Sequence, residues 1–351
     1  MYKGVIEGFF GKPWTRSDRL SHCTFLSESG FSFYIYAPKS DPYLRKSWNS
    51  VWPDARWNEL ASLAKHCSKL GIDFGVGLSP FELHLNFDNA GKQQLKDKVH
   101  KINQIKPDIL CVLFDDMRGD INLLARVQAE ITECVLSISN AKKIIVCPSY
   151  YSEDPVLDKV FGQRPEYYLE DLGRLLPLGV DIFWTGSNVC SASFADDEIK
   201  RVTKKLRRKP FIWDNYPVND GEKMCNHLHL EGFNNRNNLS NSNITGHAIN
   251  PMNQAWLSRI PLATLPAMYN PKTSLREESE RVIKQLCPPD LAAQILEDLE
   301  QFQITGLRKI TSPERLELIG KYRDLESNPY TTEIIAWLED QYPFNLDCLT
   351  D

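Results

Sequence analysis

The residues Ile109-Leu110-Cys111-Val112-Leu113-Phe114-Asp115-Asp116-Met117 form the stretch from which the fold of this chain can be inferred. Its apolar residues follow one another without alternation, which is typical of a strand buried on both faces, as in a parallel sheet. The strand ends on two adjacent aspartates, which are costly to desolvate unless they are paired, hydrogen-bonded or used in chemistry. A single Asp after a strand often serves only as a helix N-cap, but a pair favours a functional role.

The same pattern, an apolar strand followed by a polar tip and a helical stretch, recurs eight times along the chain. The predicted strands are residues 4–10, 31–38, 73–78, 109–114, 143–148, 180–184, 210–213 and 244–249. The clearest predicted helices are a first one opened by a Thr15–Asp18 capping box, then residues 54–70, 122–138 and 196–206. Strands that alternate with helices in this number predict an α/β fold, a closed (β/α)8 TIM barrel. No Gly-x-Gly-x-x-Gly motif follows the first strand, which argues against a dinucleotide-binding sheet.

The pattern changes to helices alone after Tyr269. The predicted helices are residues 275–286, 289–303, 312–325 and 331–341. We therefore expect a catalytic barrel over residues 1–270 and a C-terminal helical region over residues 271–351, packed on or beside the barrel.

The composition excludes several classes of function. The 351 residues carry a net charge of −5, and the densest basic cluster, residues 204–209, precedes a strand and is best explained as a solvated helix end. No apolar run approaches the roughly 18 residues of a membrane span, and no signal peptide is visible at the N-terminus. The nine cysteines show no paired spacing, as expected of free thiols in a reducing compartment. We expect a cytoplasmic protein with neither nucleic-acid nor membrane partners.

In a TIM barrel the active site lies at the carboxyl ends of the strands, so the strand tips are the candidate site. Polar groups alternate there with aromatic rings, and such a mixture suits a sugar, which has apolar faces and many hydroxyls. Any single Tyr or Trp at a tip is better explained as part of the barrel packing, with one end of the side chain in contact with solvent. The tips are Glu7 and Gly8, Lys39, Asp115 and Asp116, Tyr150 and Tyr151, Trp184, Trp213 with Asn215, and Asn250.

The spacing of the two acids constrains the mechanism. A retaining glycosidase usually places two carboxyl groups about 5 Å apart on opposite faces of the sugar. Asp115 and Asp116 are consecutive, with α-carbons about 3.8 Å apart, and are poorly placed to flank a ring in this way. One acid can protonate the leaving oxygen while the other holds a nucleophile that belongs to the substrate, such as a 2-acetamido group. Glu7, Asp214 or Asp220 remains an alternative second carboxylate of a two-carboxylate pair.

Five segments resemble glycoside hydrolase family 84, which contains the protein O-GlcNAcases and related bacterial β-N-acetylglucosaminidases, some of them labelled hyaluronidases. The segments occur in the family's order over about residues 4–260. They are Gly4–Trp14, Tyr34–Lys39, Leu113–Asp116, Trp184–Gly186 and Ile212–Asp220. The resemblance implies a retaining exo-β-N-acetylglucosaminidase that cleaves terminal β-linked N-acetylglucosamine through an oxazoline intermediate. It implies neither a cofactor nor a metal, and it implies a glycan or glycoprotein bearing N-acetylglucosamine as the partner.

The resemblance also implies a role for each matching residue. Asp115 would polarise the acetamido N–H, and Asp116 would act first as general acid and then as general base. Contacts to the sugar are implied for Gly8, Lys39, Tyr151, Trp213, Asn215, Asp220 and Asn250. The family often has Thr-Glu before its site tyrosine, whereas this chain has Ser149-Tyr150, so the assignment of Tyr151 rather than Tyr150 is uncertain by one residue.

Two other functions remain open from the sequence. A metal-dependent hydrolase on the same fold would use His227 and His229, although no His or Asp pattern on the first strand supports it. A lectin-like barrel would bind N-acetylglucosamine without turnover, but such a protein has no need of both acids.

Overall fold

The computed structural model describes residues 1–269 and 274–350. Eight parallel strands pair in chain order, and the last pairs with the first to close a barrel, which confirms the predicted fold. The strands are β1 (Lys3–Glu7), β2 (Phe33–Tyr36), β3 (Asp73–Leu78), β4 (Ile109–Leu113), β5 (Lys143–Cys147), β6 (Val180–Trp184), β7 (Phe211–Asp214) and β8 (Gly246–Ile249).

The helices surround the barrel and then continue beyond it. They are α1 (Arg16–Glu28), α2 (Asp54–Lys69), α3 (Asn89–Asn103), α4 (Leu124–Leu136), α5 (Pro155–Phe161), α6 (Tyr168–Leu175), α7 (Asp196–Leu206), α8 (Arg259–Met268), α9 (Leu275–Leu286), α10 (Pro289–Glu300), α11 (Ser312–Arg323) and α12 (Pro329–Leu338). The capping box of α1 is present, with Thr15 and Asp18 each bonding the other's backbone N–H. Helix α7 has its predicted bounds, whereas α4 is two residues shorter than predicted at each end.

The connection from β7 to β8 departs from the expectation that a helix follows every strand. Its helical content is one 3₁₀ turn, Met224–Asn226. The sequence after this turn is rich in Asn and Ser, whose side chains compete with the backbone for hydrogen bonds and favour turns over helices. The connection is instead organised by Arg236, whose guanidinium binds Asp214 and the carbonyl oxygens of Ser191 and Ala192.

The C-terminal helices share a hydrophobic core with the barrel segment around β8, which includes Leu228, Met252 and Ile260. The buried carboxylate of Glu333 in α12 accepts the amides of Trp256 and Leu257, and it is a polar link between the two parts. The predicted domain boundary at residues 270 and 271 lies outside the described residues, so the division into two regions stays a prediction. Helix α10 ends at Glu300 and is followed by a π turn, rather than continuing to Gln303. No helix of the described residues is long and apolar enough to cross a membrane.

Candidate active site

The carboxyl ends of the strands enclose a cavity with an empty volume of about 460 Å³. The structure brings every residue to which the family resemblance assigns a role to the wall of this cavity: Gly8, Lys39, Asp115, Asp116, Tyr151, Trp213, Asn215, Asp220 and Asn250. The other candidates at the strand tips, Glu7, Tyr150 and Trp184, do not line it.

The two carboxylates of the acid pair have different surroundings. Lys39 donates from its ammonium group to Asp115 Oδ2, and the same nitrogen lies 3.6 Å from Asp116 Oδ2. The other oxygen of Asp115, Oδ1, is buried and has no hydrogen-bond partner among the described residues. A buried carboxylate oxygen without a donor is unfavourable, so this atom is available to accept an N–H or O–H from a ligand.

Tyr151 donates from its phenol to Asp116 Oδ1 at 3.0 Å. Burial raises the pKa of Tyr151 well above its ordinary value, so the phenol keeps its proton at neutral pH and can act as a donor. The neighbouring Tyr150 instead donates to the carbonyl oxygen of Gly162 at 2.6 Å. The structure therefore places Tyr151, and not Tyr150, in the wall of the cavity.

Ser149, which departs from the family pattern, supports the strand that carries the acids. Its hydroxyl donates to the carbonyl oxygen of Phe114 at 2.9 Å and accepts from the amide of Gln128 at 2.8 Å. The Phe114 carbonyl immediately precedes Asp115 in the chain, so Ser149 fixes the backbone there rather than contacting the cavity.

On the opposite side, β7 and β8 supply a connected set of amides. Asn215 Oδ1 accepts from Trp213 Nε1 at 2.9 Å and from Asn250 Nδ2 at 3.0 Å, while Asn250 Oδ1 accepts the backbone N–H of Gly8 at 3.2 Å. A Cβ at Gly8 would lie 2.5 Å from the Trp213 ring, so only glycine leaves room for that ring. These bonds fix the orientation of the amide groups before any ligand arrives.

Asp220 completes the wall and accepts the backbone N–H of Phe10 through Oδ2 at 2.6 Å. Burial raises the pKa of Asp220 to about 6, and the nearby charge of Asp116 acts in the same direction. A carboxylate with a raised pKa at the wall of a cavity is a frequent feature of functional sites.

Two of the three other acids considered as a second catalytic carboxylate, Glu7 and Asp214, are paired with arginines away from the cavity. Glu7 forms a two-point ion pair with Arg19. Asp214 is buried, which by itself raises its pKa, but the charge of Arg236 together with the hydrogen bonds from His247 and Arg236 outweighs burial and lowers the pKa to about 2. Neither carboxylate lines the cavity. Asp220 does line it, so among these three alternatives only Asp220 is placed to reach a bound sugar.

The two histidines of the metal-hydrolase alternative lie outside the cavity, after the 3₁₀ turn that follows β7. The ring of His229 contacts Gln303, with Nδ1 3.4 Å from the amide nitrogen. Burial lowers the pKa of His229 to about 3. Within residues 1–269 and 274–350, no three His, Cys, Asp or Glu side chains are grouped as a metal site.

Two features of the cavity were not inferred from the sequence. Arg45, in the loop after β2, donates to the carbonyl oxygens of Asp115 and Asp116 at 3.4 and 3.0 Å. Cys348 and Thr350, from the tail that follows the last helix, line the cavity, whereas Arg45 lies behind its wall. Neither lies at a strand tip, and no local pattern distinguishes them, because their positions depend on long-range packing.

Comparison with known proteins gives consistent results. A family model described as beta-N-acetylglucosaminidase matches residues 3–302. The protein O-GlcNAcases of Rattus norvegicus and Mus musculus are each 28% identical to this chain over 276 residues. Each match covers 76% of this chain but only 30% of the relative, so the chain spans less than a third of the curated relatives' length.

Two solved structures have the same fold. A mutant of the Thermobaculum terrenum O-GlcNAc hydrolase superposes with a TM-score of 0.78 at 27% identity, covering 97% of this chain and 81% of its own. The protein named CpGH84B gives a TM-score of 0.76 at 22% identity, covering 97% and 66%, and shows the fold alone. Since the family model spans most of the barrel and part of the helical region, this chain belongs to the β-N-acetylglucosaminidase family, glycoside hydrolase family 84.

Proposed function

We propose that this chain is a retaining exo-β-N-acetylglucosaminidase that removes terminal β-linked N-acetylglucosamine by substrate-assisted catalysis. The observation that carries the proposal is the buried, unpartnered Oδ1 of Asp115, next to Asp116 in one cavity wall. The substrate class is a glycan or glycoprotein bearing N-acetylglucosamine, by analogy with the relatives that are named protein O-GlcNAcases.

The proposed reaction assigns different roles to the adjacent acids. Asp115 accepts the acetamido N–H through Oδ1 and orients the acetamido carbonyl oxygen toward the anomeric carbon. That oxygen attacks, the glycosidic bond breaks, and Asp116 protonates the departing oxygen, while the acetamido N–H proton passes to Asp115, which leaves an oxazoline. Asp116 then removes a proton from water as the water opens the oxazoline, Asp115 returns its proton to the nitrogen, and the product keeps the β configuration. The two successive inversions at one carbon give net retention.

The remaining side chains would hold the sugar. Lys39, Asn215 and Asp220 present two donors and an acceptor to the sugar hydroxyls, and Gly8 offers its backbone carbonyl. Trp213 would lie under the N-acetyl methyl group, since its ring forms an apolar wall and its N–H is already bonded to Asn215. Asn250 orients Asn215 through the bond between their side-chain amides.

The decisive test compares three aryl substrates: a β-N-acetylglucosaminide, its N-thioacetyl analogue and the matching β-glucoside. We expect turnover of the first two and none of the glucoside, because the glucoside carries no internal nucleophile. Comparable cleavage of the glucoside would contradict substrate assistance. Calorimetry on Asp116→Asn separates an enzyme from a lectin-like protein, since an enzyme variant should bind N-acetylglucosamine while losing turnover of natural glycosides. Loss of activity after chelation would favour the metal-dependent alternative.

We also propose a reducing, cytoplasmic location. Cys111 and Cys147 are buried free thiols in strands β4 and β5, as expected of a protein kept in a reducing compartment. Cellular fractionation of the native protein would test this placement.

A further inference from the structure

Arg45 contacts the main chain of the acid pair from a distant loop. The residue follows β2 and is 5% exposed. One guanidinium nitrogen, Nη2, donates to the carbonyl oxygen of Asp116 at 3.0 Å, and Nη1 reaches the carbonyl oxygen of Asp115 at 3.4 Å. The guanidinium therefore contacts the backbone of both acids and neither of their carboxylates.

The backbone at Asp116 is in a conformation that needs support. Its φ is +56°, in the left-handed region that a residue with a side chain adopts at a cost. Such a conformation persists where the surroundings over-determine it, and it is common at functional sites. The shorter of the two Arg45 bonds is made to the carbonyl of this same residue.

The guanidinium is itself fixed. Nη1 donates to the hydroxyl of Ser79 at 3.1 Å, and this hydroxyl donates in turn to the carbonyl oxygen of Leu113 at the end of β4. The rings of Phe10 and Phe81 lie 5.8 and 5.2 Å from the guanidinium carbon. A planar guanidinium packed near two aromatic rings directs its N–H donors along fixed lines, which the flexible ammonium group of a lysine cannot reproduce.

We infer that Arg45 is a positioning residue that stabilises the left-handed backbone of Asp116. Through this backbone it directs the carboxyl group of Asp116 toward the glycosidic oxygen. This inference rests on the proposed function, in which Asp116 is the general acid. A misplacement of about 1 Å at a catalytic group can reduce the rate by about 10²-fold. The loss in kcat/KM should be larger for leaving groups that depend more on protonation by the general acid.

The test is a series of aryl β-N-acetylglucosaminides whose phenols become steadily more basic. For Arg45→Lys we expect a loss in kcat/KM that grows along the series, from about threefold for the best leaving group toward about 10²-fold for the worst. Asp116→Asn, measured in parallel, should show the same trend with a larger amplitude.

The matched control is Arg208, which also donates to several backbone carbonyl oxygens, those of Gly173, Leu176, Pro177 and Val180, outside the cavity. Arg208→Lys should lower thermal stability without changing the dependence on the leaving group. A uniform loss for Arg45→Lys, alongside a steep trend for Asp116→Asn, would overturn the inference and leave the proposed function intact. A flat series for Asp116→Asn would overturn the proposed function itself.

Should Arg45→Lys fail to fold, Ser79→Ala serves as the second variant. It removes the hydroxyl that fixes Arg45 Nη1 and leaves the guanidinium in place. A leaving-group dependence that is steeper than in the parent supports the inference, and an unchanged dependence overturns it.

Discussion

Replacing Asp347 by Asn should lower the KM for an aryl β-N-acetylglucosaminide without changing kcat. The tail over residues 342–350 brings Cys348 and Thr350 into the cavity wall, which Tyr151 also lines. Asp347 holds the tail to the barrel through an ion pair with Lys46 at 2.7 Å. We expect a ligand that fills the cavity to displace the tail, so weakening the pair should favour binding and leave the chemical step unaffected.

The magnitude follows from the exposure of the pair. The side chains of Lys46 and Asp347 are 58% and 54% exposed. Exposed pairs contribute about 0.2–1 kcal/mol, which corresponds to a factor of about 1.4 to 5 in an equilibrium constant. Since apparent affinity scales with the fraction of molecules whose cavity is open, KM should fall by the same factor. Deletion of residues 344–351 should lower KM further, because it also removes Cys348 and Thr350.

The assay is steady-state kinetics on Asp347→Asn, Lys46→Gln and the double variant. The two single changes should not add, because each removes the same interaction. Raising the salt concentration from about 0.1 to 1 M shortens the screening length from about 10 to 3 Å. High salt should therefore lower KM in the parent but not in the variants.

The control is Glu130→Gln, which breaks an ion pair with Arg126 of similar exposure on α4. Its KM should equal that of the parent at both salt concentrations. Unchanged KM in Asp347→Asn and in the deletion variant would refute the reasoning, since the tail would then impose no barrier to the substrate. A fall in kcat would also refute it, because the tail would then contribute to the chemical step.

Three further predictions concern the cavity wall. Asp116→Asn should lose about 10²- to 10⁴-fold in kcat/KM on natural glycosides but far less on activated aryl glycosides, as measured by initial rates. Asp220→Asn should abolish sugar binding yet stabilise the fold above pH 6. Burial raises the folded-state pKa of Asp220 from 3.8 to about 6, so the parent loses on the order of 2–3 kcal/mol as pH rises through that range; urea unfolding should show the advantage of the variant shrinking at pH 5. Gly8→Ala should displace the Trp213 ring, since the added Cβ would lie 2.5 Å from it. This variant should have a lower kcat/KM, and its free energy of unfolding should fall by about 1–3 kcal/mol.

The barrel could be predicted from the sequence because the patterns that indicate its strands and helices are local. Each buried strand is a short apolar run and each helix repeats its apolar residues with helical spacing, so both can be recognised within about ten residues. The acid pair at the end of β4 could be placed at the active site by the geometry of the fold alone. The prediction of a helix between β7 and β8 was wrong because this connection is stabilised by long-range contacts. Its Arg236 binds Asp214 and Ser191, which are distant in the sequence.

The two acids show why candidate catalytic residues can be identified from the sequence, whereas the directions of their side chains cannot be predicted from it. Consecutive aspartates on an extended strand would point to opposite faces of the sheet, and only one would reach the cavity. The strand β4 ends at Leu113, and Asp116 adopts a left-handed φ of +56°, so the alternation no longer applies and both residues line the cavity. That conformation is stabilised by a guanidinium 71 residues away in the sequence. Because the chemistry proposed for this protein needs both carboxylates on one side of the sugar, its catalytic rate should depend on Arg45 as well as on the acids, although the loss on replacing Arg45 should be smaller than the loss on replacing Asp116.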